Sequence, residues 1–299
     1  MNKAEIIRKE LRLIIRELGL INRNCLNSEL TLAQAHILNY VKENGITPFN
    51  ELLTQLGIDK ASLSRILNNL ETKNYIEMKN SKIDKRMKAV NILPLGIEAI
   101  VEGDYKANKF INEILLLGNS DDTDNILRSF REFRILALKN NLIKNDYRIT
   151  IERISENYIE DGNKLAIEVF TNEQSIPSEL VPINEDLKPI WWCARVGEDV
   201  IGITAAWKEK SKWHWGRFAV DKRLRGIGIG QKIAIFSIKE IFDLGAEEIY
   251  IEARDVTVNM LRKFGCKVTG EAEDFYGEPV TPITINKCDF IEICKKEKY

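Results

Sequence analysis

Residues 225–231 read Arg-Gly-Ile-Gly-Ile-Gly-Gln, between a run ending Phe218-Ala219-Val220 and an apolar stretch reaching Phe242. Glycines at alternate positions let successive backbone N–H groups face one concavity, and a helix starting there adds partial positive charge. Such a turn holds a diphosphate. It is not a Walker loop, because no Gly-Lys-Ser/Thr follows. Nor is it a dinucleotide loop, since the spacing is not Gly-x-Gly-x-x-Gly and the turn falls late in its half of the chain. Just upstream, Trp213-His214-Trp215 sets a histidine into a strand-like run, where an imidazole could take a proton from an amine. A packed or surface histidine is the plainer reading of the same residue.

A second chemical cluster lies between Lys60 and Lys88. Lys60, Arg65, Lys73, Lys79, Lys82, Lys85, Arg86 and Lys88 stand there against only Glu71, Glu77 and Asp84. A basic stripe on an otherwise balanced chain points to a polyanion for that segment, although a solvated face would carry the same charges. The bias is regional. Residues 1–145 hold 22 Lys+Arg against 18 Asp+Glu, and residues 146–299 hold 22 against 27, while the whole 299-residue chain has a net charge of -1.

The elements that position these groups fall into two textures. The first half has helical periodicity: apolar residues recur near every 3.6 positions over 4–21, then comes a helix ended by Gly45 and a short one in the stretch 48–57 stopped by Gly57. Thr31 and Thr47 are candidate helix openers, and Asp59 is placed to cap a helix starting at Lys60. Two strands, 75–78 and 89–93, flank the polar loop Asn-Ser-Lys-Ile-Asp-Lys-Arg, and two long helices follow over 98–117 and 122–142. From Tyr147 strands and helices alternate, as in an α+β or α/β domain with a central sheet. The expected domains are 1–145 and 146–299.

With 44% hydrophobic and 30% charged residues, the chain can build packed cores and is not dominated by disorder. No run of 18 uncharged apolar residues is present, so a membrane-spanning helix is not expected, and the charge-rich start does not read as a signal peptide. Cys25, Cys193, Cys266, Cys288 and Cys294 are scattered and odd in number, with two histidines in the chain. Neither a disulfide framework nor a zinc site is expected, and a cytoplasmic protein with reduced thiols is.

A short helix, a tight turn at Gly57 and a second helix make a geometry that can lay one helix in a DNA major groove. Leu63, Ile66, Leu67 and Leu70 fix one face of that second helix to a core. Lys60, Ser62, Ser64, Arg65, Asn68 and Asn69 are left outward or flanking, suited to base edges and phosphates, and Lys82, Lys85 and Arg86 can reach an adjacent groove. The stretch from Leu-Thr-Leu-Ala-Gln-Ala-His-Ile-Leu through Asn-Glu-Leu-Leu-Thr-Gln-Leu-Gly to Leu-Pro-Leu-Gly-Ile-Glu resembles the MarR-type winged-helix regulators over about residues 1–142. The resemblance implies a winged helix-turn-helix domain, a homodimer built by its first and last helices, and double-stranded DNA with a palindromic operator. Where that family often has two adjacent arginines after the wing aspartate, this chain has Lys85 and Arg86.

Residues 148–295 resemble the GNAT N-acetyltransferases. The resemblance rests on Val-Phe-Thr-Asn-Glu-Gln-Ser-Ile-Pro, on Gly-Arg-Phe-Ala-Val-Asp-Lys-Arg-Leu-Arg-Gly-Ile-Gly-Ile-Gly, on Glu-Glu-Ile-Tyr-Ile-Glu-Ala and on Lys-Phe-Gly-Cys. It implies acetyl-CoA as cofactor and an amine as acceptor, small molecule or protein. Phe218, Ala219 and Val220 would offer backbone groups to pantetheine; Arg225, Gly226, Ile227, Gly228, Ile229, Gly230 and Gln231 would hold the pyrophosphate, and Asn259 would lie near the thiol. His214 is the candidate base, Tyr276 the candidate acid, and Glu173 the candidate contact for a cationic amine. Leu261 falls where the family usually has its acidic tyrosine.

Three functions fit these features. One is a DNA-binding regulator fused to an acetyltransferase. A second is a regulator whose weakly catalytic GNAT half senses acetyl-CoA or another effector. The third is an acetyltransferase whose winged helix only dimerises.

Overall fold

The computed structural model describes residues 2–21, 26–80, 88–144 and 148–297. The chain divides into two compact units, Met1–Phe133 and Arg134–Tyr299.

The first unit runs α1 (Lys3–Glu17), α2 (Leu32–Asn44), β1 (Thr47–Pro48), α3 (Phe49–Leu56), α4 (Lys60–Thr72), β2 (Ile76–Asn80), β3 (Lys88–Ile92), α5 (Pro94–Leu115) and most of α6 (Ser120–Lys144). Thr31 opens α2 in a reciprocal cap: Gln34 N donates to Thr31 Oγ1 at 3.2 Å and Thr31 N to Gln34 Oε1 at 3.0 Å. Asp59 caps α4 through Ser62 N at 2.9 Å. The expected strand pair is present, and a short strand at Thr47–Pro48 joins it in the order β1-β3-β2. Leu63, Leu67 and Leu70 from α4 are fully buried with Ile37, Leu38 and Val41 from α2, so the period seen in the sequence is the core face. α5 enters against the turn at Tyr75, and only glycine fits its third residue. A Cβ on Gly96 would lie 2.2 Å from Tyr75 O.

The second unit takes the end of α6 and then β4 (Thr150–Arg153), α7 (Glu156–Ala166), β5 (Ile190–Val196), β6 (Asp199–Glu209), β7 (Lys212–Val220), α8 (Ile229–Asp243), β8 (Glu248–Arg254), α9 (Asp255–Leu261), β9 (Lys267–Val268), β10 (Glu273–Phe275), β11 (Glu278–Asn286) and α10 (Lys287–Glu297). Ile135, Leu138 and Leu142 pack into its core, which is why the division falls within α6 and ahead of residue 145. The sheet order is β10-β11-β8-β7-β6-β5-β4, with β9 also on β11. All pairs are antiparallel except β7 with β8. Period-two alternation sends Trp192 and Ala194 into the cluster built with α8 and sends Cys193 into the one built with α7. Two tryptophan N–H groups are satisfied as they are buried: Trp192 Nε1 donates to Glu240 Oε2 at 2.5 Å, and Trp215 Nε1 to Ser237 Oγ at 2.9 Å. α7 runs on into a π-helical turn, Ile167–Glu173.

Candidate functional site

On the first unit, α4 presents the residues expected to meet DNA. Lys60, Arg65 and Asn68 are exposed, and Ser62 and Ser64 are half-buried. Asn69 is exposed, but its Oδ1 accepts from Gln34 Nε2 at 2.7 Å, which fastens α4 to α2. Lys82, Lys85 and Arg86 lie outside the described residues.

On the second unit, β7 and β8 pair at Trp213–Ile249 and His214–Tyr250 and part beyond them. The opening is the mouth of a cleft of about 1290 Å³. One end is the glycine turn. Gly226 and Gly228 have φ of 85° and 86°, and a Cβ on either would meet nothing within 4 Å. Gly228 is the N-cap of α8 and supplies no side-chain bond, so the first-turn amides carry no such cap. An open concavity under an uncapped helix start fits a diphosphate. Directly after the strand leading in, Asp221 accepts from the backbone and side chain of Arg223. Burial works to raise this carboxyl, but side-chain and backbone hydrogen bonds from Arg223 overcome it and hold the pKa below its ordinary value. Arg225 turns away from the turn it was expected to serve: Nε donates to Val220 O at 2.9 Å and Nη1 to Glu173 Oε2 at 2.9 Å. Lys139 reaches the same loop, its Nζ donating to Arg225 O at 3.1 Å.

The other end of the cleft is aromatic and polar. His214 lies 5.7 Å from the Trp207 ring at an interplanar angle of 12°, and 6.0 Å from Tyr250. On the side of the glycine turn, Glu173, bonded to Arg225, closes the π-helical turn with its Oε1 buried and without a hydrogen-bond partner among the described residues. Beside Trp207, Arg217 occupies a bulge. The β6–β7 register slips between Ile203–Ala219 and Ala205–Gly216, and Arg217 takes a left-handed φ of 50°.

The cleft thus gathers His214, Glu173, Phe218, Ala219, Val220, Arg225, Gly226, Gly228, Ile229, Gly230 and Gln231. It leaves out three residues of the sequence-based site. Ile227 packs against the core, Asn259 is exposed and accepts from Arg262 Nη1 at 3.1 Å, and Tyr276 sits on the β10–β11 turn with its ring against Phe275. Leu261 is fully buried in the core, and α9 faces the cleft with Thr257 and Met260. Sequence reasoning missed Trp207 and Arg217. Neither carries a motif, since both depend on the bulge that turns them into the cleft. Cys193 is inert, its thiol pushed up to about 12 by burial, with Glu152 adding to the rise.

Residues 28–87 match the family profile described as the MarR family, and residues 156–266 match the acetyltransferase (GNAT) family. No curated protein matches the chain in sequence. Similar solved structures fall in two groups. Escherichia coli ElaA is 18% identical, covering 46% of this chain and 99% of its own, with a TM-score of 0.43. The PcaV transcriptional regulator from Streptomyces coelicolor is 14% identical, covering 46% of this chain and 98% of its own, at 0.38. Bordetella bronchiseptica BpsR, whose DNA binding is regulated by 6-hydroxynicotinic acid, is 18% identical, covering 44% of this chain and 98% of its own, at 0.37. The chain joins an N-terminal helical MarR-type region to a C-terminal mixed-sheet GNAT fold, a fold that uses acyl-CoA. Among the described residues no helix is long and apolar enough to cross a membrane, and no group of three or more His, Cys, Asp or Glu could hold a metal ion.

Proposed function

We propose that this chain is a cytoplasmic, homodimeric DNA-binding regulator that also transfers an acetyl group from acetyl-CoA to an amine. The observation that carries the enzymatic half is the uncapped start of α8 beneath Gly226 and Gly228, at the end of a cleft opened by the parting of β7 and β8. Bound acetyl-CoA would supply the thioester. Gly226, Gly228, Ile229, Gly230 and Gln231 would hold its diphosphate through backbone N–H groups, and Phe218–Val220 would offer β7's free edge to the pantetheine arm.

His214 acts as base, directly or through water, and Glu173 holds the incoming ammonium. Leu261 and Tyr276 place no acidic group in the cleft, so the thiolate leaves into water, as its modest basicity allows. The domain roles follow the sequence division, 1–145 for DNA binding and dimerisation and 146–299 for transfer, with the end of α6 from Arg134 packed in the second unit. The DNA-binding half is supported by Lys60, Arg65 and Asn68 on the exposed face of α4. Dimerisation is supported by α1, which buries none of its residues and leaves Ile6, Ile7 and Leu11 exposed.

The test is amine-dependent release of free coenzyme A thiol across a panel of amines, with duplex-DNA binding measured on the same preparation. His214→Ala should lower kcat at least about tenfold, and Glu173→Gln should raise KM for the amine. The buried apolar Leu261 favours a second reading, in which the cleft binds acetyl-CoA or another effector without turnover. Binding of acetyl-CoA that shifts DNA affinity, with no thiol release from any amine, selects it.

A further inference from the structure

Three arginines line the cleft, and they differ in how their charge is met. Arg225 is paired with Glu173, and Arg254 with Glu278. Arg217 has no carboxylate partner among the described residues. Its Nε donates to Val181 O at 2.6 Å and its Nη2 to Leu180 O at 2.9 Å, which leaves Nη1 with no protein acceptor. Burial alone pulls this guanidinium below its ordinary pKa, with no opposite charge acting against the pull. A cation taken partly out of water is stabilised by a bonded anion, and here its bonds go to carbonyl oxygens instead.

The backbone adds a second cost. Arg217 holds the left-handed region at the β6–β7 bulge, a conformation that disfavours residues with a Cβ. Its neighbours fix where the side chain goes. The Trp207 ring lies against Gly216, where an added Cβ would come within 3.2 Å of it, and the guanidinium stands 5.9 Å from the Trp207 ring centroid. Glu209, Glu252, Asp255, Glu271, Glu273 and Asp274 line the same cleft, and none of them is bonded to Arg217. Glu173, also in the cleft, keeps one carboxylate oxygen on Arg225 and the other buried and unused.

One cleft therefore holds an uncompensated guanidinium and an unsatisfied carboxylate oxygen. A polyamine or a lysine side chain would meet the carboxylates of the cleft and leave Arg217 unanswered. We propose that the acceptor is a free α-amino acid, with its carboxylate on Arg217 and its amine facing His214, since both residues stand beside the Trp207 ring. The planar fork of a guanidinium matches the two oxygens of a carboxylate, which an ammonium donor would not. Transfer forms a bond from the amino-acid nitrogen to the acyl carbon and breaks the carbon–sulfur bond. One proton leaves the ammonium to the base before attack, and a second, released from nitrogen as the thiolate departs, is taken up by the sulfur. The inference rests on the acyltransferase reading and names its substrate class.

The experiment is calorimetric titration of the full chain saturated with coenzyme A. Each common L-amino acid is compared with its own carboxamide, which keeps the amine and loses the anion. At least one amino acid should bind about tenfold or more tightly than its carboxamide. Arg217→Gln should erase that difference while the affinity for coenzyme A stays within about twofold. Arg217→Lys, which keeps the charge without the fork and guards against misfolding, should retain part of it. The idea is overturned if no amino acid outbinds its carboxamide, or if the difference survives Arg217→Gln. Loss of coenzyme A affinity in that variant also overturns it, because the arginine then serves the cofactor. If the wild type does not bind coenzyme A, the acyltransferase reading fails separately, and the same pairs titrated without it decide whether Arg217 prefers the anion.

Discussion

Helix α4 begins under Asp59, whose carboxylate accepts from Ser62 N at 2.9 Å, whereas α8 begins under Gly228, which bonds nothing through a side chain. Both helices are the proposed binding elements of their units, and they present opposite ends of the same physics. In α4 the N-terminal amides are satisfied from within, and what faces outward is side chains: Lys60, Arg65 and Asn68. In α8 the amides themselves are left for a ligand. The contrast extends to the units around them. Buried Gln34 reaches Asn69, and Tyr40 Oη donates to Glu51 at 2.7 Å, while in the second unit Glu173 Oε1 and Arg217 Nη1 wait without protein partners. A surface that reads a polyanion can be complete before it binds. A cleft that takes a small molecule is built with gaps in its hydrogen bonding, and each gap costs stability until it is filled.

The largest expected effect breaks the closed unit. Gly96→Ala drives a Cβ into Tyr75 O and should cost the first unit about 3 kcal/mol, seen as a lower denaturant midpoint together with loss of DNA binding. Next comes the second unit's own satisfied carboxylate. Asp221→Asn should cost about 1.5 kcal/mol near neutral pH by weakening the bonds from Arg223. Because the native Asp221 pKa is depressed, the wild type has this stability above the unfolded-state pKa and loses it as pH falls through the native value. Denaturation curves of the two proteins should therefore converge in acid. Lys60→Ala should lower the slope of log binding constant against log salt by about 1 on duplex DNA, without affecting acetyl-CoA binding. An unchanged slope would take Lys60 off the DNA. The smallest effect is expected from Tyr276→Phe, which should leave the rate of thiol release within about twofold because the ring lies outside the cleft.

How much could be seen beforehand follows from what each feature depends on. α1 to α6 were legible because their apolar periods and ends are local, with Thr31 and Asp59 as openers and Gly45 and Gly57 as stops; Thr47, also expected to open a helix, lies in β1 instead. The glycine turn was legible because its backbone demands are written in residue type. β1, β10 and α10 were not, since strands of two or three residues and a helix of weak periodicity form through partners distant in sequence. Tyr276, Asn259 and Ile227 have suitable chemistry or position in the sequence, but a hairpin turn, an exposed helix face and a core contact take them elsewhere. Arg217 shows the reverse. It sits unremarked between Gly216 and Phe218, and only the slip in the β6–β7 register gives it a role.

Cofactor binding as proposed depends on α8's empty cap, and exchanging the caps tests it. Gly228 holds a left-handed φ of 86°, so Gly228→Asp should lose some stability, but Asp tolerates that backbone better than most residues and the variant should still fold. Its carboxylate would occupy the concavity meant for the diphosphate. Calorimetric titration with acetyl-CoA should show binding by the wild type and a loss of at least about tenfold in Gly228→Asp. Equal affinity in the two proteins, or no binding by the wild type, would contradict the claim that this helix start is the cofactor site.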